Sequence, residues 1–481
     1  MTGGLFTNPG SKEAAVRDCT RWSLNQQAEW FRRQFAQAAS LPFSDVLPAQ
    51  VVIDSLQSMG VQFYKSLYNP VTVLWLFLSQ VIHANPTLAA TVENFLAWRL
   101  GQGLPPCSAD TGGYARARQR LPEKLLEMLT LYSGREAQRQ AKTDWLWMGR
   151  VVKVFDGSTV SMPDTPENQA AYPQPANQTP GVGFPLARIA VLFSLSVGTV
   201  LSLGLRRWAG KFQSELAMLR DMFPLFDSGD ILLTDRYLCS YMEIAVLGSR
   251  GVDFVGRMHA QRKVDFRRGQ WIGLQEHLVQ WIKPPRPDWM SLKEYAALPA
   301  TMGMREIRYR VERHGYRPNT ITVATTLLDS ATCPWEEVAQ LYGLRWDAET
   351  NLRSLKTMMN RDVLRCQTPE MVRKEIWAHL LAYNLIRTVI AQAAVTHGKH
   401  PRQLSFTRAM RTLEAFRPIL AHSPRDRLAA LYDQLLKAIA SHEIANRPHR
   451  LEPRQRKRRP KPYKLMTKPR NEARRLYAKQ R

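Results

Sequence analysis

Apolar residues recur every three or four positions in LNQQAEWFRRQFAQAA (24–39), PTLAATVENFLAWRL (86–100) and SADTGGYARARQRLPEKLLEML (108–129). This is the spacing of amphipathic helices, and it predicts a helical domain over residues 1–148. From Val151 the period changes. VVKVFDGSTVSM (151–162) reads as a strand whose first apolar run stops at Asp156. ARIAVLFSL and TVLSLGLRRW predict a hairpin turning at SVGT, and FQSELAMLRDMF a helix. DILLTD (230–235) is a short buried strand that stops at Asp235, YMEIAVLGSR a helix and VDFVGRM a fifth strand. Three strands in a row, then strand, helix, strand, predict an α/β fold: a mixed sheet with helices on its faces.

Residues 259–330 break that rhythm. QRKVDFRRGQWIGL, MREIRYRVERHG and NTITVATTLLDS read as strands around the loop-like IKPPRPDW, so the region is a β-rich insertion. PWEEVAQLYGLRWDAETNLRSLKTMM (334–359) is the next helix, with proline at its start. Residues 149–258 and 331–400 then form one domain interrupted by the insertion, and helices continue over 401–445.

Composition changes the picture through charge. Apolar content is ordinary at 44%, but 67 Lys and Arg against 41 Asp and Glu leave +26. Such a field draws polyanions, nucleic acid first and a membrane surface second. Half of it lies in residues 446–481, where 15 basic residues meet only Glu452 and Glu472. That composition, with prolines and few apolar residues, reads as a basic arm. No membrane span is expected, because VTVLWLFL (71–78) falls far short of the roughly 20 residues a bilayer needs. MTGGLFTNPG lacks the pattern of a signal peptide, so the expected location is cytoplasmic. Cys19, Cys107, Cys239, Cys333 and Cys366 are scattered without a CxxC pair, which argues against a zinc ribbon and suits reduced thiols.

The helix LYGLRWDAETNLRSLK (341–356) carries candidate chemistry. With Glu349 at zero and about 100° per residue, Tyr342 lies near +20°, Arg345 near −40° and Lys356 near −20°. Leu341, Ala348, Leu352, Leu355 and Met359 fall on the adjoining buried stripe. The polar strip therefore borders the core instead of lying opposite it, as a solvated face would. An i,i+4 ion pair of Glu349 with Arg353 is the bland alternative. Asp156 and Asp235 at strand ends, with Glu349 reaching over from the helix, offer the hard oxygen ligands that Mg2+ takes. Two such ions can drive in-line phosphoryl transfer, and Arg345 and Lys356 would hold phosphates of the same substrate.

FDGST with Asp156, LLTDRY with Asp235, and Tyr342, Arg345, Glu349 and Lys356 in the spacing Tyr-x2-Arg-x3-Glu-x6-Lys together resemble the DDE transposases of bacterial insertion sequences, in the insertion sequence four group. The resemblance covers roughly residues 60–400, including NPVTVLWLFLSQV and CSADTGGYARARQRLP.

The resemblance implies a ribonuclease-H-like catalytic domain with a β-rich insertion. A helical domain precedes it, and helices and a basic tail follow. Asp156, Asp235 and Glu349 would be the catalytic residues and ligands of two Mg2+ ions, with Mn2+ able to substitute. Tyr342, Arg345, Lys356, Arg257 and Arg236 would contact DNA. Arg116 and Arg120 of the helical domain either grip the transposon end or pack on the next domain, and Arg458 and Arg459 belong to the DNA-binding arm. The implied substrates are terminal inverted repeats and target DNA, taken by a homodimer near the bacterial nucleoid. A nuclease without strand transfer and an inactive DNA-binding relative remain alternatives. Relatives carry a tryptophan on a late insertion strand that stacks on a flipped base. NTITVATTLLDS has none; Trp271, Trp281 and Trp289 come earlier and are read as core, as is Trp346.

Overall fold

The computed structural model describes residues 47, 49–61, 66–83, 85–101, 103–259, 261–262, 264–311, 319–359, 364–444 and 466–479. The helix expected over 24–39 lies outside them, as does Cys19. Among the described residues five helices come first: α1 (Ala49–Ser58), α2 (Pro70–Ile82), α3 (Leu88–Gly101), α4 (Gly112–Arg120) and α5 (Glu123–Arg139). Asn69 starts α2 by accepting from the amides of Val71 and Thr72, with Pro70 at the first helical position. Pro122 separates α4 from α5.

Next come β1 (Val152–Ser161), α6 (Pro166–Ala171), β2 (Leu186–Ser194), β3 (Val200–Arg207), α7 (Glu215–Asp221), β4 (Ile231–Thr234), α8 (Tyr241–Gly248) and β5 (Asp253–Arg257). The predicted hairpin is β2–β3, and its turn uses Gly198 at φ +82. The insertion contributes β6 (Gln270–Gly273), β7 (Glu276–Ile282), α9 (Leu292–Ala297), β8 (Thr301–Val311) and β9 (Asn319–Thr325). The chain continues with α10 (Trp335–Met358), α11 (Pro369–Thr396), α12 (Phe406–His422), α13 (Arg425–Ala440) and α14 (Arg470–Lys479).

All nine described strands lie in one sheet, ordered β3-β2-β1-β4-β5-β9-β8-β7-β6. β1, β4 and β5 run parallel, and β2 and β3 return antiparallel on the far side of β1. The insertion strands extend the sheet, because β9 pairs antiparallel with β5. Side chains of alternate strand positions leave the sheet on opposite faces. Val152, Val154, Ile231, Leu233 and Val255 bury against Val338, Leu341 and Tyr342 of α10. Phe155, Leu232 and Phe254 bury on the other face with Met218 and Leu219 of α7 and Ile244 of α8. α11 lies at the centre of a third cluster that joins β2 and β3 to the N-terminal helices. Among the described residues no helix is long and apolar enough to cross a membrane.

Candidate active site

β1 differs from the expectation at one point. It does not end at Asp156 but runs on to Ser161, held by β2 from Asp156↔Val191 to Ser161↔Leu186. What stops near Asp156 is the parallel pairing with β4, whose last partners are Val154↔Leu233. By alternation from Val152 and Val154, Asp156 belongs to the face covered by α10. It accepts from the Gly157 amide at 2.9 Å. β4 ends at Thr234, one residue before the expected Asp235. Asp235 then caps a single 3₁₀ turn, Arg236–Leu238, by accepting from the Tyr237 amide at 2.9 Å.

α10 presents the third carboxylate. Leu341, Leu352, Leu355 and Met359 are buried, as the stripe required. Glu349 pairs with Arg345 at 2.7 Å, so its ion pair runs back one turn instead of forward to Arg353. The Arg345 guanidinium lies 5.7 Å from the Tyr342 ring centroid. Its Nε–H is buried and has no hydrogen-bond partner. Behind the strip, Arg387 of α11 donates to Asn351, two residues past Glu349, and to the Tyr383 hydroxyl, which donates to the Gly198 carbonyl. This buried chain ties α10 to α11 and to the β2–β3 turn.

The charges report the convergence. Burial pushes Asp156 up to about 6. The Gly157 amide and Arg345 oppose the rise, and the carboxylates of Asp235 and Glu349 add to it. Tyr342 is raised by burial, against Arg345 and Arg257, and it too feels Asp235. Asp156, Asp235, Glu349, Tyr342, Arg345 and Arg257 therefore share one electrostatic environment. Among the described residues no group of three or more His, Cys, Asp and Glu side chains is arranged as a metal cage. Asp156 nevertheless feels the charge of both other carboxylates, while Glu349 is engaged by Arg345.

Other expected positions are dispersed. Lys356 is half-buried near the end of α10, and Arg236 is exposed beside Asp235. Arg116 and Arg120 are exposed on α4, whereas Arg118 between them turns inward to Gln80. Arg458 and Arg459 lie outside the described residues. Trp346 is not core but 44% exposed, since it points away from the buried stripe. Trp281 is core, and Trp289 packs under the Arg220 guanidinium at 4.0 Å. Trp271 corrects the core expectation: on the terminal strand β6 it is 64% exposed. Sequence reasoning missed Glu215. It opens α7 behind its capping Ser214, and its carboxyl is raised by burial, lowered by Arg188 and raised again by Asp235. An acidic residue right after a serine cap, on the helix that follows the β2–β3 hairpin, was the available signal.

Asp156, Asp235 and Glu349 all lie within the span of one family model, Transposase DDE domain. The family model for that domain matches residues 147–385, from just before β1 into α11. The chain is 26% identical over 274 residues to Transposase InsG for insertion sequence element IS4 from Escherichia coli (strain K12), over 54% of this chain and 57% of that protein. It is 42% identical over 55 residues, 11% of this chain, to the transposase for insertion sequence element IS421 from Escherichia coli, covering 15% of that protein. Among solved structures, a chain of the piggyBac transposase synaptic complex with hairpin DNA aligns with TM-score 0.42 and 8% identity, covering 83% of this chain and 84% of that one. The chain belongs to the DDE transposases of bacterial insertion sequences, in the insertion sequence four group.

Proposed function

We propose that this protein cuts DNA at the ends of an insertion sequence and joins the freed 3′-hydroxyls to target DNA. The observation that supports the reading is that Asp156 feels the charges of Asp235 and Glu349, with Glu349 paired to Arg345, whose buried Nε–H is still unbonded. The strand order β3-β2-β1-β4-β5 supports assigning residues 149–258 and 331–400 to a ribonuclease-H-like catalytic domain, with 259–330 as its insertion.

Asp156, Asp235 and Glu349 would hold two Mg2+ ions, or Mn2+ in their place. Such ions activate an attacking water or 3′-hydroxyl and stabilise the leaving oxygen. Arg345 would exchange its bond to Glu349 for a substrate phosphate when the cations arrive. Tyr342, Lys356, Arg257 and Arg236 extend that phosphate grip. Arg116 and Arg120 of the helical domain, and Arg458 and Arg459 of the basic arm, add contacts to inverted-repeat and target DNA. A homodimer would hold the two ends together. Strand transfer exchanges one phosphodiester for another, so no high-energy cofactor is required.

The test uses pre-cleaved inverted-repeat ends, a supercoiled plasmid and Mg2+. Joined product is expected from the native chain. None is expected from Asp235→Asn or Glu349→Gln, while both variants still bind end DNA. Plasmid nicking without joined product would replace this reading with a nuclease. Near-normal cleavage by either variant would overturn the assignment of the carboxylates.

A further inference from the structure

β3 ends at Arg207, and residues 208–214 carry the chain to α7. β2 runs antiparallel to both β1 and β3, and β4 runs parallel to β1. The loop therefore leaves the sheet at the end where Asp235 follows β4. β3 is two strands from β1, about 10 Å across the sheet. Phe212 precedes Glu215 by three residues, so their Cα atoms are at most about 11 Å apart. A Cβ on Gly157, next to Asp156, would overlap the Glu215 carboxylate. The loop thus ends on the rim of the candidate active site.

Phe212 has φ +61, a left-handed backbone that is costly for a bulky side chain. Burial does not repay this cost, because the ring is 48% exposed. The conformation is nevertheless braced. Arg206 donates to the Phe212 carbonyl and pairs with Asp221 of α7, and the Gln213 side chain donates to the Lys211 carbonyl at 3.3 Å. At the start of the loop, Arg188 donates to the Trp208 carbonyl at 3.3 Å and stacks on its ring. Lys211 Nζ lies 5.4 Å from the centre of the Phe212 ring. It meets Asp288 at 3.7 Å with both side chains largely exposed, an ion pair weak enough to be exchanged for a phosphate.

We propose that the loop between β3 and α7 binds single-stranded DNA beside the cut, with an unpaired base stacked on Phe212 and its phosphate held by Lys211. The proposal rests on the reading of the site as one that cuts DNA. An exposed ring with a cation beside it is the combination that takes single strands, because every base has a face to stack and every nucleotide a negative charge. The brace from Arg206 holds the ring out in solvent before any DNA arrives, so little order has to be gained on binding.

The experiment uses the full chain in EDTA, so that DNA is bound and not cut. The probes are an inverted-repeat duplex ending flush at the cut and the same duplex with a short single-stranded flank carrying 2-aminopurine. The native chain is expected to quench the 2-aminopurine and to prefer the flanked duplex. Phe212→Gly should lose the quenching and weaken binding of the flanked duplex by about fivefold to hundredfold, with flush-duplex affinity unchanged. Phe212→Trp should keep both the quenching and the preference. Glycine adopts the left-handed backbone without strain, so the thermal midpoint of Phe212→Gly should not fall below the native one. Quenching and preference retained in Phe212→Gly overturn the proposal. A lowered midpoint in Phe212→Gly also overturns it, because the ring is then a packing element. Cleavage of the flush duplex in Mg2+ is scored separately: its absence, with the stacking signal intact, strikes the reading of the carboxylates and keeps the loop as a DNA contact.

Discussion

Asp156→Asn should stabilise the metal-free protein at neutral pH. In the folded chain Asp156 holds its proton up to about 6, whereas an unfolded aspartate releases it near about 3.9. Between these values the folded state binds more protons, so stability falls as pH rises through about 6. Two pH units at about 1.4 kcal/mol each set a ceiling of about 3 kcal/mol. The carboxylate is not sealed from solvent, which reduces the expectation to about 1–2 kcal/mol. The Asn side chain has the same shape and still accepts the Gly157 amide, so the change isolates charge. For a chain of this length the unfolding entropy is about 1 kcal/mol/K, which makes the shift in thermal midpoint about 1–2 °C. The assay is thermal unfolding in EDTA from pH 4 to pH 8. The variant should come closest to the native chain at pH 4, gain on it as pH rises from 4 to about 6, and keep a nearly constant advantage above pH 6. Added Mg2+ should raise the native midpoint and leave the variant's unchanged. A difference that is flat with pH, or that favours the native chain at pH 8, refutes the argument that burial and carboxylate repulsion strain this site.

Asn384→Ala should destabilise the protein by about 2–4 kcal/mol. Its side chain meets the Val200 amide at 2.7 Å, the Val200 carbonyl at 2.9 Å and the Thr130 carbonyl at 3.0 Å, all buried; an unchanged thermal midpoint would contradict this. Truncation after Asn446 removes most of the basic arm, and should weaken DNA binding and flatten its salt dependence. If 6 of its 15 basic residues meet phosphates, the slope of log affinity against log salt changes by about 5. An identical slope in filter binding would place the arm off the DNA.

Where apolar periodicity was clean, elements were legible from residues alone. β4 and β5 are short apolar runs, and α10 carries its stripe and strip at the predicted angles. β7 was not legible. Glu276 and His277 begin it and are buried, where a strand pattern leads one to expect apolar side chains. They are tolerated because Arg305 pairs with Glu276, and Glu306 takes His277 Nε2 at 3.0 Å and Trp281 Nε1 at 2.9 Å. Partners some 25–30 residues away decide whether such a segment can be buried, and no local window contains them. α9 was hidden for a simpler reason: it is one and a half turns closed by a Ser291–Glu294 capping box, too short to show a period.

The sequence by itself determined that Tyr342, Arg345, Glu349 and Lys356 share one side of a helix, because helical periodicity is local backbone geometry. It determined that apolar runs lead up to Asp156 and Asp235, and that a basic segment closes the chain. Tertiary structure decided which of these meet. The register Val154↔Leu233 sets Asp156 beside the end of β4, and burial of Leu341 and Tyr342 fixes α10 so that the charge of Glu349 reaches Asp156. The choice of Arg345 over Arg353 followed, since only Arg345 lies on the side facing the strands. The packing of the Glu215 carboxylate over Gly157, where a Cβ would overlap it, was invisible for the same reason. It depends on two faces of one sheet being closed by helices whose positions are set by the summed burial of residues far apart in the chain.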